Sequence, residues 1–248
     1  MAVIYGVLGK KLSHSFSKKY FENKFKTDNL SDYLYYNFEF DHLDLFFEHL
    51  KTNTDIKGFN ITNPYKVSII PYLDEISEEA KEINAINCVK IINGKKIGFN
   101  TDAFGFSTSI KPFLEPTHER ALILGTGGAA KAVAFSLNKI GITNAFVTSD
   151  INKKNKQTFT YDELGEGHFK SFKLIVNATP CGMYPNVKDF PKIPFEQIES
   201  THLCYDLIYN PEKTKFLEFC EEQGASVMNG LSMLHLQAEK AWEIWNER

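Results

Sequence analysis

The most informative segment of this chain is Ala121-Leu-Ile-Leu-Gly-Thr-Gly-Gly-Ala-Ala-Lys-Ala-Val133. Its first four apolar residues predict a buried parallel strand, and the residues from Lys131 onward recur at helical period. Gly125, Gly127 and Ala130 fit the G-x-G-x-x-G/A spacing, which gives a tight turn, a close approach for a pyrophosphate and close packing of helix on strand. A glycine triad alone is weak evidence, but a strand before it and a helix after it favour dinucleotide binding over an ordinary turn.

Composition limits the class of protein. A length of 248 residues predicts one or two domains, and about half of the chain precedes the glycine turn. A net charge of -3 and a pI near 6.2 give no basic face for nucleic acid. The first residues show no signal peptide and no apolar stretch reaches the length of a membrane span, so we expect a cytoplasmic protein without a membrane partner.

The cysteines and histidines indicate neither a disulfide framework nor a metal site. Cys88, Cys181, Cys204 and Cys220 lie far apart without a C-x-x-C pair, which predicts reduced, mostly buried thiols. The seven histidines are scattered and form no H-E-x-x-H motif, so we expect no metal.

The first half of the chain alternates strands and helices. Residues 3–9 and 33–40 are predicted strands, and residues 18–26 and 43–50 are predicted helices. This alternation predicts an α/β fold with a mainly parallel sheet.

Two serines near the N-terminus are candidates for binding a carboxylate. Ser15 and Ser17 point the same way if the segment is extended, so both hydroxyls could bond one anion. The alternative, which spacing alone favours, is that Ser17 only caps the following helix. His14 would face away from both serines and is read either as structural or as a contact behind the residues that touch the ligand.

The segment Gly58-Phe-Asn-Ile-Thr-Asn-Pro-Tyr-Lys66 is a strand end that carries polar groups. Asn60 and Thr62 share one side of the strand, and Pro64 ends it. Lys66 then lies in the first turn of a helix, where the helix dipole disfavours a cation. A solvated surface lysine is the ordinary reading, but the polar strand end favours a functional site.

Asp102 ends a predicted hairpin. Asn93-Gly94 suits a type I′ turn between strands at residues 89–92 and 95–98, and a helix is predicted from about residue 103. Asp102 is either an N-cap worth about 1 kcal/mol or the partner of a nearby ammonium.

The strand at residues 144–149 leads to the position that distinguishes NAD from NADP. An acid about 20 residues beyond the glycines binds ribose hydroxyls of NAD, and an arginine accepts the 2′-phosphate of NADP. Asp150 is present and arginine is absent, whereas Lys153, Lys154 or Lys156 could compensate. The residues therefore leave the cofactor open.

Polar residues also follow the later strands. Asn177 and Thr179 end a strand at residues 174–179, where they either contact a cofactor or satisfy backbone groups of the turn. Tyr209 follows a strand at residues 203–208 and so lies near the carboxyl ends of the strands, where open α/β sheets bind ligands.

The last helix, from about residue 231, has two predicted faces. Met233 and Gln237 lie one turn apart on one side. An apolar stripe on another side comprises Leu231, Leu234, Ala238, Ala241 and Trp245.

Eight motifs in a fixed order resemble those of the shikimate dehydrogenase family. In the first half they are S-x-S at Ser15 and Ser17, G-x-N-V/I-T-x-P-x-K at 58–66, G-A-x-N-T at 84–88 and G-x-N-T-D-G at 98–103. In the second half they are G-x-G-G-A at 125–129, N-A-T-P-x-G-M at 177–183, Y-D-x-x-Y-N-P at 205–211 and G-x-x-M-L-x-x-Q-A at 230–238. Asn84 replaces the usual glycine, Cys88 the usual threonine and Ala103 a glycine; the thiol is a much weaker hydrogen-bonding group than a hydroxyl.

The resemblance implies two α/β domains with the active site in the cleft between them. Residues 1–101 plus 232–248 would form the substrate domain, and residues 102–231 the Rossmann domain. The implied activity is reversible NADPH-linked reduction of 3-dehydroshikimate to shikimate in aromatic amino acid biosynthesis, by a monomer or homodimer. NAD remains possible, as does activity on quinate; a non-catalytic dinucleotide-binding regulator is a further alternative, against which Lys66 and Asp102 speak.

The resemblance also assigns roles to residues. It makes Lys66 and Asp102 the catalytic acid–base pair. The implied substrate-binding residues are Ser15, Ser17, Asn60, Thr62, Asn87, Tyr209 and Gln237. The implied cofactor-binding residues are Gly125, Thr126, Gly127, Gly128, Ala129, Asp150, Asn177, Thr179, Leu207, Gly230 and Met233.

Overall fold

A computed structural model describes residues 2–12 and 16–247 of the chain, and Ser15 and His14 lie outside the described residues. The chain divides into two compact units, residues 1–101 with 238–248 and residues 102–237. The second unit extends to Gln237, six residues beyond the boundary expected at residue 231. The beginning of the last helix packs closely within this unit, since a Cβ added at Gly105 would lie 2.6 Å from the Met233 carbonyl oxygen.

The first unit contains a six-stranded sheet with helices between its strands. Its elements are β1 Val3–Gly9, α1 Phe16–Thr27, β2 Tyr33–Glu39, α2 Leu43–Thr52, β3 Gly58–Ile61, α3 Tyr65–Ser68, β4 Glu75–Ile76, α4 Glu78–Ile83, β5 Cys88–Ile92 and β6 Lys95–Phe99. The strand order is β2-β1-β3-β5-β6-β4, with β5 antiparallel to its two neighbours and the other pairs parallel. Asn93 and Gly94 have φ angles of 51° and 79°, as a type I′ turn requires.

Aromatic packing attaches the end of the chain to the first unit. Trp245 stacks on Tyr5 with 4.5 Å between ring centroids, and its indole N–H donates to the Val89 carbonyl oxygen at 3.0 Å. Gly58 lies under this contact, since a Cβ there would come within 2.5 Å of the Trp245 ring nitrogen. A large ring thus occupies space that only glycine leaves open.

The second unit is an all-parallel six-stranded sheet. Its elements are α5 Asp102–Ile110, β7 Arg120–Leu124, α6 Gly128–Lys139, β8 Thr143–Thr148, β9 Thr158–Thr160, α7 Glu166–Ser171, β10 Leu174–Asn177, β11 Leu203–Asp206, α8 Lys215–Glu222, β12 Ser226–Met228 and, crossing the boundary, α9 Leu231–Asn246. The order β12-β11-β10-β7-β8-β9 is that of the doubly wound dinucleotide fold. The predicted α/β class and the Rossmann unit are confirmed.

Among residues 2–12 and 16–247, none of the helices combines the length and the apolar character that crossing a membrane requires.

A fully buried carboxylate, Asp206, joins three elements of the second unit. Its oxygens accept hydrogen bonds from Asn177 Nδ2 at 3.0 Å, the Ile208 N–H at 3.0 Å and Thr214 Oγ1 at 2.6 Å. Thr214 also caps α8 by accepting from the Leu217 N–H. The ends of β10 and β11 and the start of α8 are therefore held by one side chain. Burial raises the pKa of Asp206 to about 6, although the three donors act in the opposite direction.

We expect Asp206 to make stability fall as pH rises from about 4 to about 6. Its pKa in the folded chain lies above the ordinary value of 3.8, so the native state binds more protons than the unfolded state in this window. A shift of about 2 pKa units corresponds to about 3 kcal/mol. The measurement is urea unfolding of the wild type and of Asp206→Asn between pH 4 and pH 7. The free energy of unfolding of the wild type, relative to that of the variant, should fall by up to this amount over the range.

The matched control is Glu212→Gln, which removes an exposed carboxylate from the same region. The difference in free energy of unfolding between Glu212→Gln and the wild type should vary little over this pH range. A constant difference for Asp206→Asn would contradict the raised pKa.

Candidate functional site

The glycine turn has the geometry of a phosphate-binding loop. Gly125 has a φ of +106° and donates its N–H to the Val147 carbonyl oxygen at 2.8 Å, and an added Cβ would lie 3.1 Å from Thr179. At the exposed N-cap Gly127, an added Cβ would meet no atom within 4 Å. The positive φ at position 125 thus requires glycine, whereas Gly127 leaves open space in front of the α6 N-terminus. Thr126 lies within this turn, and Gly128 and Ala129 are the first two residues of α6.

These features fit the pyrophosphate of a dinucleotide. Twelve residues of α6 align their N–H groups behind the turn, and the buried Ala130 lets the helix pack on the sheet. An anion in front of Gly127 would therefore meet unshielded backbone donors.

The second wall of this region consists of the segments that follow β10 and β11. Asn177 is fully buried, and its Oδ1 accepts from the Thr179 N–H at 3.1 Å and from Thr179 Oγ1 at 2.6 Å. Its carbonyl oxygen accepts from the Leu207 N–H at 3.0 Å. A Cβ added at Gly230 would lie only 2.0 Å from the Leu207 carbonyl oxygen, so a side chain has no room there. Asn177 and Thr179 thus satisfy groups of their own turn and fix its shape.

Asp150 is engaged by its own turn. Its carboxylate accepts from the Asn152 N–H at 3.0 Å and from Asn152 Nδ2 at 3.1 Å, and Lys153 Nζ lies 3.9 Å away. Lys154 pairs with Glu163. The carboxylate of Asp150, predicted to bind a ribose, therefore already accepts hydrogen bonds from Asn152, and Lys153 partly neutralises its charge.

In the first unit, polar residues lie at and just beyond the carboxyl end of β3. Asn60 is 6% exposed, and its Nδ2 donates a hydrogen bond to the Asn87 carbonyl oxygen at 3.3 Å. Thr62 is half-buried and donates its N–H to the Leu8 carbonyl oxygen at 2.9 Å. Lys66 is half-buried in α3, and its carbonyl oxygen accepts from the Ile86 N–H at 2.7 Å. Backbone bonds thus fix the positions from which Thr62 and Lys66 project.

Asn87 connects this strand end to the residue that precedes Asp102. Its Oδ1 accepts from the Thr101 N–H at 2.6 Å, its Nδ2 donates to Thr101 Oγ1 at 3.0 Å, and its carbonyl oxygen accepts from the Ile61 N–H at 2.8 Å. Asp102, the first residue of α5, is buried with 5% exposure. The helix thus starts one residue earlier than the sequence indicated.

The structure adds a residue that sequence reasoning did not identify. Tyr35 of β2 donates its hydroxyl to Asn60 Oδ1 at 2.8 Å. It holds the amide of one of the predicted substrate-binding residues. The only sequence signal was an aromatic residue at an inward position of an alternating strand.

The last helix corrects part of the sequence interpretation. Leu231, assigned to the apolar stripe, is 39% exposed, whereas Met233 and Gln237 are buried. Gln237 Nε2 donates to the Leu234 carbonyl oxygen at 3.0 Å. The face that is buried changes along the helix because α9 belongs to one unit up to residue 237 and to the other from residue 238. Tyr209, after β11, is half-buried, and burial raises its pKa.

The departures from the family motifs are accommodated locally. Asn84 adopts φ 54° at the end of α4, a left-handed position that asparagine tolerates better than most residues. Cys88 is fully buried in β5, where burial raises the pKa of its thiol well above the ordinary value. Ala103 is 2% exposed in α5.

Comparisons with known proteins agree with this geometry. The family described as Shikimate dehydrogenase substrate binding domain matches residues 7–89. The shikimate dehydrogenase (NADP(+)) of Methanococcus aeolicus is 37% identical, over 97% of this chain and 90% of that protein.

Two solved structures extend the likeness to the fold. The shikimate 5-dehydrogenase of Thermus thermophilus, in complex with NADP(H) and shikimate, is 29% identical with a TM-score of 0.87, covering 99% of this chain and 94% of that chain. The shikimate 5-dehydrogenase of Listeria monocytogenes, in complex with shikimate and NAD, is 26% identical with a TM-score of 0.86, covering 100% of this chain and 92% of that chain. The resemblance predicted from the eight motifs is confirmed: the chain belongs to the shikimate dehydrogenase family.

Proposed function

We propose that this protein catalyses the reversible, NADP-linked interconversion of 3-dehydroshikimate and shikimate, a step in making aromatic amino acids. The observation that carries the proposal is the 37% identity with a shikimate dehydrogenase (NADP(+)) over nearly the whole chain. The chain also retains Lys66 and Asp102 within the motifs that carry the resemblance.

The second unit would hold the cofactor, which when bound supplies or accepts a hydride. The turn from Gly125 to Ala129 would bind the pyrophosphate through its N–H groups, because it offers open space and the α6 N-terminus. Further contacts would come from Asp150, Asn177, Thr179, Leu207, Gly230 and Met233. Met233 would pack against the nicotinamide ring.

The first unit would supply most of the substrate contacts. Ser15 and Ser17 would bind the carboxylate with neutral hydroxyls. The ring would be fixed by Asn60, Thr62, Asn87, Tyr209 and Gln237. The buried, hydrogen-bonded amides of Asn60 and Asn87 support this role, because polar groups held in place by the fold lose little freedom when a ligand binds.

Lys66 would supply the proton that the substrate oxygen takes up during reduction and would remove it during oxidation. A lysine ammonium stabilises negative charge that develops on this oxygen. Asp102 would orient the ammonium.

Replacing Lys66 with alanine should lower kcat by at least about 100-fold, the lower bound for general acid–base catalysis. KM for shikimate should change much less, because the proton transfer matters in the transition state. The measurement is steady-state oxidation of shikimate followed by NADPH absorbance. Lys51→Ala, which removes an exposed lysine paired with Glu48, is the control and should keep the wild-type kcat. A near-normal kcat in Lys66→Ala would exclude Lys66 from proton transfer.

The cofactor preference rests on the lysines after β8. We expect kcat/KM to be higher with NADP than with NAD, because Lys153 places positive charge next to Asp150. Lys153→Ala should lower kcat/KM with NADP by about fivefold, the effect of about 1 kcal/mol, and should leave NAD almost unchanged. Lys170→Ala removes a lysine paired with Glu166 and controls for net charge. An equal loss of kcat/KM with NADP and with NAD in Lys153→Ala would contradict a role of Lys153 at the 2′-phosphate.

Assays with shikimate and quinate, each with NADP and NAD, separate the alternatives. Preference for quinate with NAD would support a quinate/shikimate dehydrogenase. Cofactor binding without oxidation of either substrate would support a non-catalytic regulator. We further propose a cytoplasmic location and either a monomer or a homodimer, which sedimentation analysis would distinguish.

A further inference from the structure

Tyr35 occupies a restrained position in the first unit. Its side chain is 3% exposed, and its ring stacks on Phe21 with 4.6 Å between centroids and 10° between planes. Its hydroxyl donates to Asn60 Oδ1 at 2.8 Å. The packing of the ring therefore fixes where the hydroxyl meets the Asn60 amide.

The directions of the hydrogen bonds follow from counting protons. The Asn87 carbonyl oxygen can only accept, so the Asn60 amide turns its Nδ2 toward it and its Oδ1 toward Tyr35. The amide oxygen also only accepts, so the single hydroxyl proton of Tyr35 is used there. Burial raises the pKa of Tyr35 well above its ordinary value, so the phenol keeps the proton that this bond requires.

The fixed amide has a consequence for ligand binding. A ring hydroxyl that bonds Asn60 meets an amide whose oxygen and nitrogen cannot exchange places, because Tyr35 donates to the oxygen and the Asn87 carbonyl oxygen accepts from the nitrogen.

We propose that Tyr35 is a positioning residue of the shikimate site, which fixes the orientation of the Asn60 amide toward the substrate. This inference rests on the proposed function. The chemical group recognised through Asn60 is a ring hydroxyl.

The test is Tyr35→Phe, which deletes the hydroxyl and keeps the ring on Phe21. KM for shikimate should rise about fivefold or more, the factor that corresponds to one net hydrogen bond, whereas kcat and KM for NADP should stay within about twofold. The matched control is Tyr205→Phe in the second unit. Tyr205 is also fully buried, and its hydroxyl lies 2.9 Å from Ser109 Oγ. The control should lose comparable stability and leave KM for shikimate unchanged.

Several results would overturn the proposal. A wild type that oxidises shikimate, together with a Tyr35→Phe variant whose KM for shikimate is unchanged, would refute the role of Tyr35 and leave the proposed function intact. An equal rise of KM in Tyr205→Phe would also refute it, because the effect would then follow from lost stability. A wild type that does not oxidise shikimate would refute both proposals.

A second measurement covers the case in which Tyr35→Phe does not fold. 3-Fluorotyrosine introduced at position 35 keeps the ring and the hydroxyl, so its fluorine NMR signal reports on the intact contact. Shikimate should shift this signal because a ring hydroxyl that bonds the Asn60 amide alters the acceptor of the Tyr35 proton, and NADP alone should not. An unchanged signal at saturating shikimate would overturn the proposal.

Discussion

The hydrogen bonds of Asn87 are the constraint on which the first unit's candidate site depends. Its side chain holds the Thr101 backbone and hydroxyl, and its carbonyl oxygen accepts from β3 at Ile61 and from the Asn60 amide. An amide buried to 3% exposure is tolerated only when its hydrogen bonds are made. The end of β3 and the residue before Asp102 therefore cannot shift independently. The site's polar groups are set by this restraint before any ligand is bound.

The second unit uses the same physical device at the ends of its strands. Asp206 gathers donors from the ends of β10 and β11 and from the start of α8, although burial disfavours its charge. This carboxylate fixes the turn that carries Thr179, and Thr179 in turn closes the space beside Gly125. A buried carboxylate of this kind costs stability unless its donors are in place. Its position at the carboxyl edge of a parallel sheet, where such sheets bind ligands, is what explains its presence.

The sequence predicted those features that depend on neighbouring residues. The glycine turn, the hairpin at Asn93 and the alternation of strands and helices follow from local backbone preferences and periodicity. Tyr35, Thr101 and Asp206 could not be found in this way, because their partners lie 25, 14 and 29 residues away and meet them only through the sheet or the turn beyond it. Leu231 was placed wrongly because periodicity identifies one face of a helix, whereas the two ends of α9 pack in different units.

Recognition without arginine has a consequence for how the proposed reaction would be catalysed. A bidentate arginine would bind the carboxylate of substrate, transition state and product with similar strength, which lowers KM without raising kcat. Hydroxyls and amides bind more weakly, and each has a fixed direction once its partners are set. In this chain the direction of the Asn60 amide is imposed by the carbonyl oxygen of Asn87 and the hydroxyl of Tyr35. A reversible enzyme gains from this arrangement, because the ring is oriented by geometry and neither ground state is held so tightly that its release becomes slow.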